Sequence, residues 1–400
     1  MARDAITIPS ELFSLAPVHA HVQTQAGALA ARFAEHHREV RLHALERGEL
    51  HPGLWREVSD RGWPGLLVPS AHGGSGRELL AYVVVMEALA ASNLLLWMPV
   101  LTAGIGHAIA EVGPDPARER WLERVATGET LFALAVTEPE CGHNLFRSRT
   151  TVRRDGERFV VNGVKAPSSG IDLAERVLVL GRAAGERDGE PARFTTVLVD
   201  PGSAGVRRIE LPMGCRMGNR QWRLELCDVK VPADALVGAE GQGLLTLWPI
   251  THIERLLVSA LAIGSAQYCL SRALARANDR TIFGQRPIGA EQAIAHPLAR
   301  LHARLEATRL LVYRAAARFD AGADTRVVAG DANMAKVLSA DLFFDAADQA
   351  MQTLGALAWD EREGMSDLFL DARLTRSGPV SQELALNFIA QHVLGLPSHR

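Results

Sequence analysis

Glu254 is the carboxylate in this 400-residue chain best placed to do chemistry. On a helix, Ile250, Leu257 and Val258 lie three and four positions from it, and Leu261 follows one turn further. A carboxylate inside an apolar stripe loses hydration. That disfavours its charged form and raises its pKa toward the range useful to a general base. The same pattern also fits a boundary glutamate paired with the adjacent Arg255, since structural ion pairs occur at such places. His252, two residues upstream, projects from a different helix face.

Other chemistries lack their residues. The 14 histidines form no HExxH and no cluster with metal-ligand spacing, so no metal is expected. No GxSxG elbow and no GxxxxGK[ST] loop occurs, which weakens hydrolase and nucleotide-triphosphatase readings. Gly104-Ile105-Gly106-His107-Ala108-Ile109-Ala110 has a superficial likeness to a dinucleotide fingerprint. Its third small residue falls one place late, Pro99 stands just upstream, and the surroundings are helical, so tight helix packing is the expectation. Cys141, Cys215, Cys227 and Cys269 are scattered and read as free thiols of a reducing compartment, which points to the cytoplasm.

The net charge is -3 and no polybasic run stands out, so neither nucleic acid nor an anionic membrane is expected as a partner. Met1 to Ser10 has no apolar core and is not read as a signal peptide. The apolar stretch from Leu79 to Ala110 is interrupted by Glu87, Ser92, Asn93 and Pro99. It predicts two buried helices with a turn near Ser92 and Asn93 rather than a membrane span.

The elements that must position these residues fall into three textures. Segments 20–48, 53–62, 76–91, 99–111 and 115–126 have helical apolar spacing, broken at Pro52, Gly73-Gly74, Pro99 and Pro114. From Thr130 the runs have strand length: 130–136, a hairpin over 150–164 turning at Asp155-Gly156, then 176–181, 194–200, 206–211 and 222–231. Gly185 to Ala192 reads as a polar hairpin tip. After Pro232, segments 242–278, 289–321, 325–354 and 381–394 predict long helices with short connections. The expectation is an α+β chain: an N-terminal helical domain (1–128), a middle β-barrel-like or sandwich domain (129–235) and a C-terminal four-helix bundle (236–400).

In that order, several segments resemble the acyl-CoA dehydrogenase family, over nearly the whole chain. They are Leu66-Leu67-Val68-Pro69 with Gly73-Gly74-Ser75-Gly76, Thr137-Glu138-Pro139, Asn162-Gly163-Val164-Lys165, Asp228-Val229-Lys230-Val231-Pro232, and Arg280-Thr281-Ile282-Phe283-Gly284 with Gln292. The resemblance implies FAD as cofactor, an acyl-CoA or acyl-carrier thioester as substrate, and a homo-oligomer, a tetramer or dimer. It also implies an electron-transferring flavoprotein as redox partner. Leu134, Val136, Thr137, Gly142 and His143 are then implied to line the flavin, with Pro167, Ser168 and Ser169 beside it. Arg280 is implied to meet the pyrophosphate. Phe283, Gln292, Gln352, Gly355 and Ala356 are implied near a neighbouring subunit's cofactor, and Gln382 is implied to close the site. His143 and Arg255 are implied as substrate contacts.

The family's base occupies one of two places. Here Ser377-Gly378-Pro379-Val380-Ser381 carries no carboxylate, whereas His252-Ile253-Glu254-Arg255-Leu256 resembles the isovaleryl-CoA dehydrogenase pattern. The resemblance therefore implies Glu254 as the base that takes an α-proton, and Gly378 as a backbone N–H donor to the thioester carbonyl, as in an oxyanion hole. This chain also departs from the family. Pro167 stands where a tryptophan is usual, Gly142-His143-Asn144 replaces G-S-D, Gly355-Ala356 replaces Gly-Gly, and Val380 replaces a threonine. These departures keep open a related enzyme that acts on a carrier-protein thioester or uses oxygen, and a non-catalytic relative.

Overall fold

The computed structural model describes residues 15–76, 78–142, 144–183, 192–214, 218–282, 284 and 286–398. The helices of the first third are α1 (Pro17–Phe33), α2 (His37–Arg47), α3 (Pro52–Asp60), α4 (Leu79–Ala90), α5 (Trp97–Val112) and α6 (Asp115–Ala126). Their ends follow local chemistry. Gly48, at φ 69°, stops α2 in the left-handed region that favours glycine. Pro52 starts α3, and a ring nitrogen of His51 accepts the Leu54 N–H at 3.3 Å. Leu79 to Ala110 forms two buried helices, α4 and α5, with Asn93 at φ 60° in the turn between them.

The strands are β1 (Phe132–Ala135), β2 (Thr151–Asp155), β3 (Arg158–Ser169), β4 (Arg176–Ala183), β5 (Phe194–Val199), β6 (Val206–Leu211) and β7 (Gln221–Pro232). They form one mixed sheet in the order β1-β4-β2-β3-β7-β6, with β5 paired to β4. β1 and β2 run parallel to β4, and the other pairs are antiparallel. The β2–β3 hairpin turns at Gly156, at φ 61°, as the Asp-Gly pair predicts. β5 is buried along its whole length, which is why it reads as an unbroken run rather than an alternation.

The C-terminal part holds α7 (Gly243–Asp279), α8 (Gln292–Asp320), α9 (Thr325–Leu354), α10 (Met365–Thr375) and α11 (Gln382–Phe388). The fold is therefore α+β, with helices, a sheet and a helical bundle in chain order. Two details differ from the sequence reading. Residues 381–394 hold short α11 followed by a π-turn at Ile389–Val393, not one long helix, and α10 was not anticipated. α10 is brief and follows the polar run Asp360 to Glu363, so its apolar spacing has little length in which to declare itself.

Helix α7 is the spine. It is long and apolar enough to cross a membrane by length and composition, but most of it is buried inside the protein. It packs on α4, α5, α8 and α9. Small residues let α5 approach its neighbours: a Cβ on Gly104 would stand 3.0 Å from the Ile250 side chain of α7, and one on Gly106 would stand 3.2 Å from Val125 of α6. The Gly104–Ala110 motif is thus a helix-packing surface inside α5. α4 has no capping side chain of its own. Instead the Asp320 carboxylate, at the end of α8, accepts the Leu79 and Leu80 N–H groups at 2.7 and 2.9 Å.

Candidate active site

Leu247, Ile250 and Glu254 lie three and four residues apart in turn, and so share one face of α7. Leu247 packs in a small cluster that Leu134 and Val136 border at the end of β1. Ile250 belongs to the core of the β-region, which also holds Phe132, Ala133 and Ala135. Glu254 is the next residue on that face. Its carboxylate therefore lies on the α7 face that carries Leu247 and Ile250 toward the sheet. Beyond it, Leu257, Val258 and Leu261 are buried in the helical core.

Glu254 is half-buried, and it accepts no hydrogen bond from the described residues. Burial pushes its carboxyl up to about 7, against the opposing charge of Arg255. The paired-glutamate alternative is thus reduced to a charge interaction without a hydrogen bond. Arg255 is itself desolvated, which pulls it down to about 10, and its Nε is buried without a hydrogen-bond partner among the described residues. His252 is buried on another face, and burial holds it down at about 4, so the imidazole is neutral at pH 7.

The loop after β1 is braced from β3. The Ala166 N–H donates to the Thr137 carbonyl at 2.9 Å, and Lys165 Nζ donates to the Val136 carbonyl at 2.8 Å. Leu134, Val136 and Thr137 are half-buried, while Gly142 is exposed, with open space where a Cβ would stand. Pro167 is exposed. Ser168 is buried, and its Oγ has no partner among the described residues. Ser169 Oγ bonds Gln221 at 3.0 Å. An unpartnered hydroxyl beside a braced strand end suits a polar cofactor with donors and acceptors, so these residues fit FAD. His143 and Phe283 lie outside the described residues.

A second group meets near the middle of α9. Lys336 is buried, and its ammonium donates to the Thr375 carbonyl at the end of α10. Burial pulls Lys336 down to about 8 against the opposing charges of Asp341 and Glu383, and the charges of Arg255 and Arg376 act with the burial. Asp341 accepts from Gln382 Nε2 and forms an ion pair with Arg376, each at 2.8 Å. Gly378 sits in the turn so held, but its N–H donates to the Leu374 carbonyl at 2.9 Å. In this conformation it offers no hydrogen to a thioester carbonyl.

Arg280, Gln292, Gln352, Gly355 and Ala356 form a third group, all exposed. They stand at the end of α7, the start of α8 and the end of α9. The antiparallel connections bring these three termini to one end of the bundle. Along α7 that end is about 39 Å from Glu254. One chain does not bring this group to the same place as Glu254.

Sequence reading places Glu138 only within the Leu134–His143 segment that the resemblance sets along the flavin, and gives no role to Lys165, Lys336 or Asp341. The available signal was charge inside an apolar or small-residue run, as at Lys165 between Val164 and Ala166 and Lys336 after Ala335.

Models of three domains match the chain: the acyl-CoA dehydrogenase N-terminal domain over residues 20–129, the middle domain over 133–229 and the C-terminal domain over 241–394. The chain is 37% identical over 373 residues to acyl-CoA dehydrogenase FadE12 of Mycobacterium tuberculosis (strain ATCC 25618 / H37Rv), covering 92% of this chain and 95% of that protein. It is 31% identical to cyclohex-1-ene-1-carbonyl-CoA dehydrogenase of Geobacter metallireducens, over 85% of this chain and 90% of that one. Among solved structures, the glutaryl-coenzyme A dehydrogenase glutaryl-CoA complex aligns with a TM-score of 0.86 at 25% identity, covering 96% of this chain and 97% of that one.

Proposed function

Because this chain belongs to the acyl-CoA dehydrogenase family, whose cofactor is FAD, we propose that it oxidises an acyl-CoA thioester between its α and β carbons, with Glu254 as the base. The observation that carries this reading is the place of Glu254. Its carboxylate shares a helix face with Leu247, in the cluster that Leu134 and Val136 border, and with Ile250, in the core of the β-region, and desolvation raises it to about 7.

Bound FAD supplies the two-electron acceptor for the hydride that leaves the β-carbon. Thr137, Ser168 and Ser169 are the residues here that would hold it. Glu254 receives the α-proton on its carboxylate oxygen. A base near neutrality is ionised often enough to act and still basic enough to take a weakly acid proton. Arg255, next in the chain, keeps a share of Glu254 ionised despite the burial. The Leu257, Val258 and Leu261 side of α7 keeps water from the carboxylate, which strengthens the charge interactions there. Gly378 is assigned no carbonyl contact while its N–H is held by Leu374.

The exposed group at the far end of the bundle supports a homo-oligomer, in which Arg280, Gln292 and Gln352 of one copy serve the cofactor of another. An electron-transferring flavoprotein is the proposed acceptor, and the cytoplasm the proposed compartment.

The test is an anaerobic titration of the purified protein with straight, branched and cyclic acyl-CoAs, read by visible absorbance. The parent bleaches with its substrate. Glu254→Gln keeps the yellow colour and does not bleach; bleaching by that variant removes Glu254 from the mechanism. A second reading, oxygen as acceptor, is favoured by the exposed Pro167 where the family has a bulky aromatic. Rapid reduction of an electron-transferring flavoprotein without peroxide in air rejects it.

A further inference from the structure

A buried acid–base pair that the proposed chemistry does not use closes the mouth of the loop after β1. Lys165, in β3, is fully buried. Its ammonium donates to the Val136 carbonyl at 2.8 Å and to Glu138 Oε1 at 2.9 Å, and lies 3.5 Å from Ser148 Oγ. The Glu138 carboxylate also accepts the Arg149 N–H at 2.7 Å, the Thr150 N–H at 3.0 Å and the Ser148 hydroxyl. One side chain therefore ties the start of the loop to its end, and a second ties both to β3. The reciprocal backbone bonds of Glu138 and Cys141, each 3.1 Å, tighten the turn between them.

Such a pair is a poor device for stability alone. Desolvating two charges offsets most of their attraction, and apolar side chains of like volume commonly do as well. What apolar side chains cannot do is satisfy the Arg149 and Thr150 N–H groups and the Val136 carbonyl, and so hold the backbone of two loop ends in one place. Burial works to raise the Glu138 carboxyl, yet the Arg149 N–H, the Ser148 hydroxyl and Lys165 together hold it down at about 2, so the acceptor stays ionised.

We infer that Glu138, Lys165 and Ser148 are positioning residues for FAD: their network holds the loop from Val136 to Thr150 in the shape that receives the cofactor. The inference rests on FAD as the cofactor and not on Glu254 as the base.

The test compares FAD affinity, by flavin fluorescence quenching, with the melting temperature of the deflavinated full-length chain. The variants are Glu138→Gln, Lys165→Met, Ser148→Ala and the double variant Glu138→Leu/Lys165→Met. Each single change at the pair lowers the melting temperature and raises the FAD Kd by about tenfold or more. In the double variant the melting temperature recovers toward the parent while the Kd stays raised. That split separates a positioning role from a structural one. A Kd that recovers with the melting temperature, or stays within about twofold of the parent throughout, overturns the inference. If the single variants at the pair do not fold, Ser148→Ala decides: it keeps the ion pair, and it raises the Kd about threefold if the network positions the loop. Glu254→Gln binds FAD as the parent does, so failure of the proposed base and failure of this network are read separately.

Discussion

The carbonyl oxygen of Glu87 on α4 lies 2.3 Å from where a Cβ on Gly264 of α7 would stand, and the Ala90 Cβ lies 2.7 Å from it. The two helices thus cross at backbone contact about three turns from Glu254. The crossing fixes one end of the helix segment that carries the carboxylate, and the Gly104–Ile250 approach fixes the other. Gly264→Ala gains about 1 kcal/mol of helix propensity but forces the helices apart, at a cost of about 1–3 kcal/mol with further loss where backbone must move. The expected result is a lower melting temperature and slower flavin reduction at saturating substrate. An unchanged melting temperature would show that the crossing relaxes freely.

The raised pKa of Glu254 sets a pH dependence. The proposed base acts when ionised, so kcat/KM rises with pH and levels off above an inflection near 7. The stability effect has the opposite sign. Between the ordinary value of 4.5 and about 7 the folded chain holds a proton that the unfolded chain has released. This group's contribution to stability is therefore present at low pH and is lost as pH rises through that window. Glu254→Gln removes both slopes. Melting temperatures and initial rates across pH 5 to 9, at about 0.5-unit steps, check the pair of signs.

Arg255 opposes the desolvation of its neighbour, so removing the guanidinium leaves Glu254 harder to ionise. In Arg255→Met the inflection in kcat/KM moves to higher pH, by roughly one unit. The rate well above the inflection falls less than the rate at pH 7. An inflection that stays in place would mean that Arg255 does not act on the base.

Much of the scaffold was legible because its signals are local. Asp155-Gly156 announces the β2–β3 turn, and α9 runs over the 325–354 segment that its apolar spacing marks out. The apolar stripe around Glu254 is likewise local, since all its members lie on one helix. The rest depends on contacts between distant segments. That Leu247 shares a cluster with Leu180 and Phe194, bordered by Leu134 and Val136, follows from how α7 docks on the sheet, which no spacing rule contains. Lys165 and Lys336 were visible as charges in unsuitable company. Their partners include the backbone carbonyls of Val136 and Thr375, and a carbonyl has no residue type to recognise. Gly378 shows the same limit from the other side: the residue permits a free N–H, and the fold spends it on Leu374.

Asp341 is the fastening of the C-terminal turn to α9. It pairs with Arg376 and accepts from Gln382, while the Gln382 N–H donates to the Arg376 carbonyl at 3.0 Å, so a single carboxylate closes a small ring of contacts around residues 376–382. Asp345 lies 3.7 Å from Arg376 and offers a weaker substitute. Lys336 holds the preceding residue, Thr375, independently. Asp341→Ala is therefore expected to loosen the turn without unfolding the bundle, at a cost of about 1–3 kcal/mol. Trypsin would then cut after Arg376 several-fold faster than in the parent, and mass spectrometry would find the fragment beginning at Ser377. Lys336→Met frees the end of α10 instead and would speed the cut after Arg373 as well. Equal cleavage in parent and Asp341→Ala would place the hold on this turn elsewhere, in Asp345 and the stacking of Arg376 on Phe344, whose ring centroid is 4.1 Å from the guanidinium carbon.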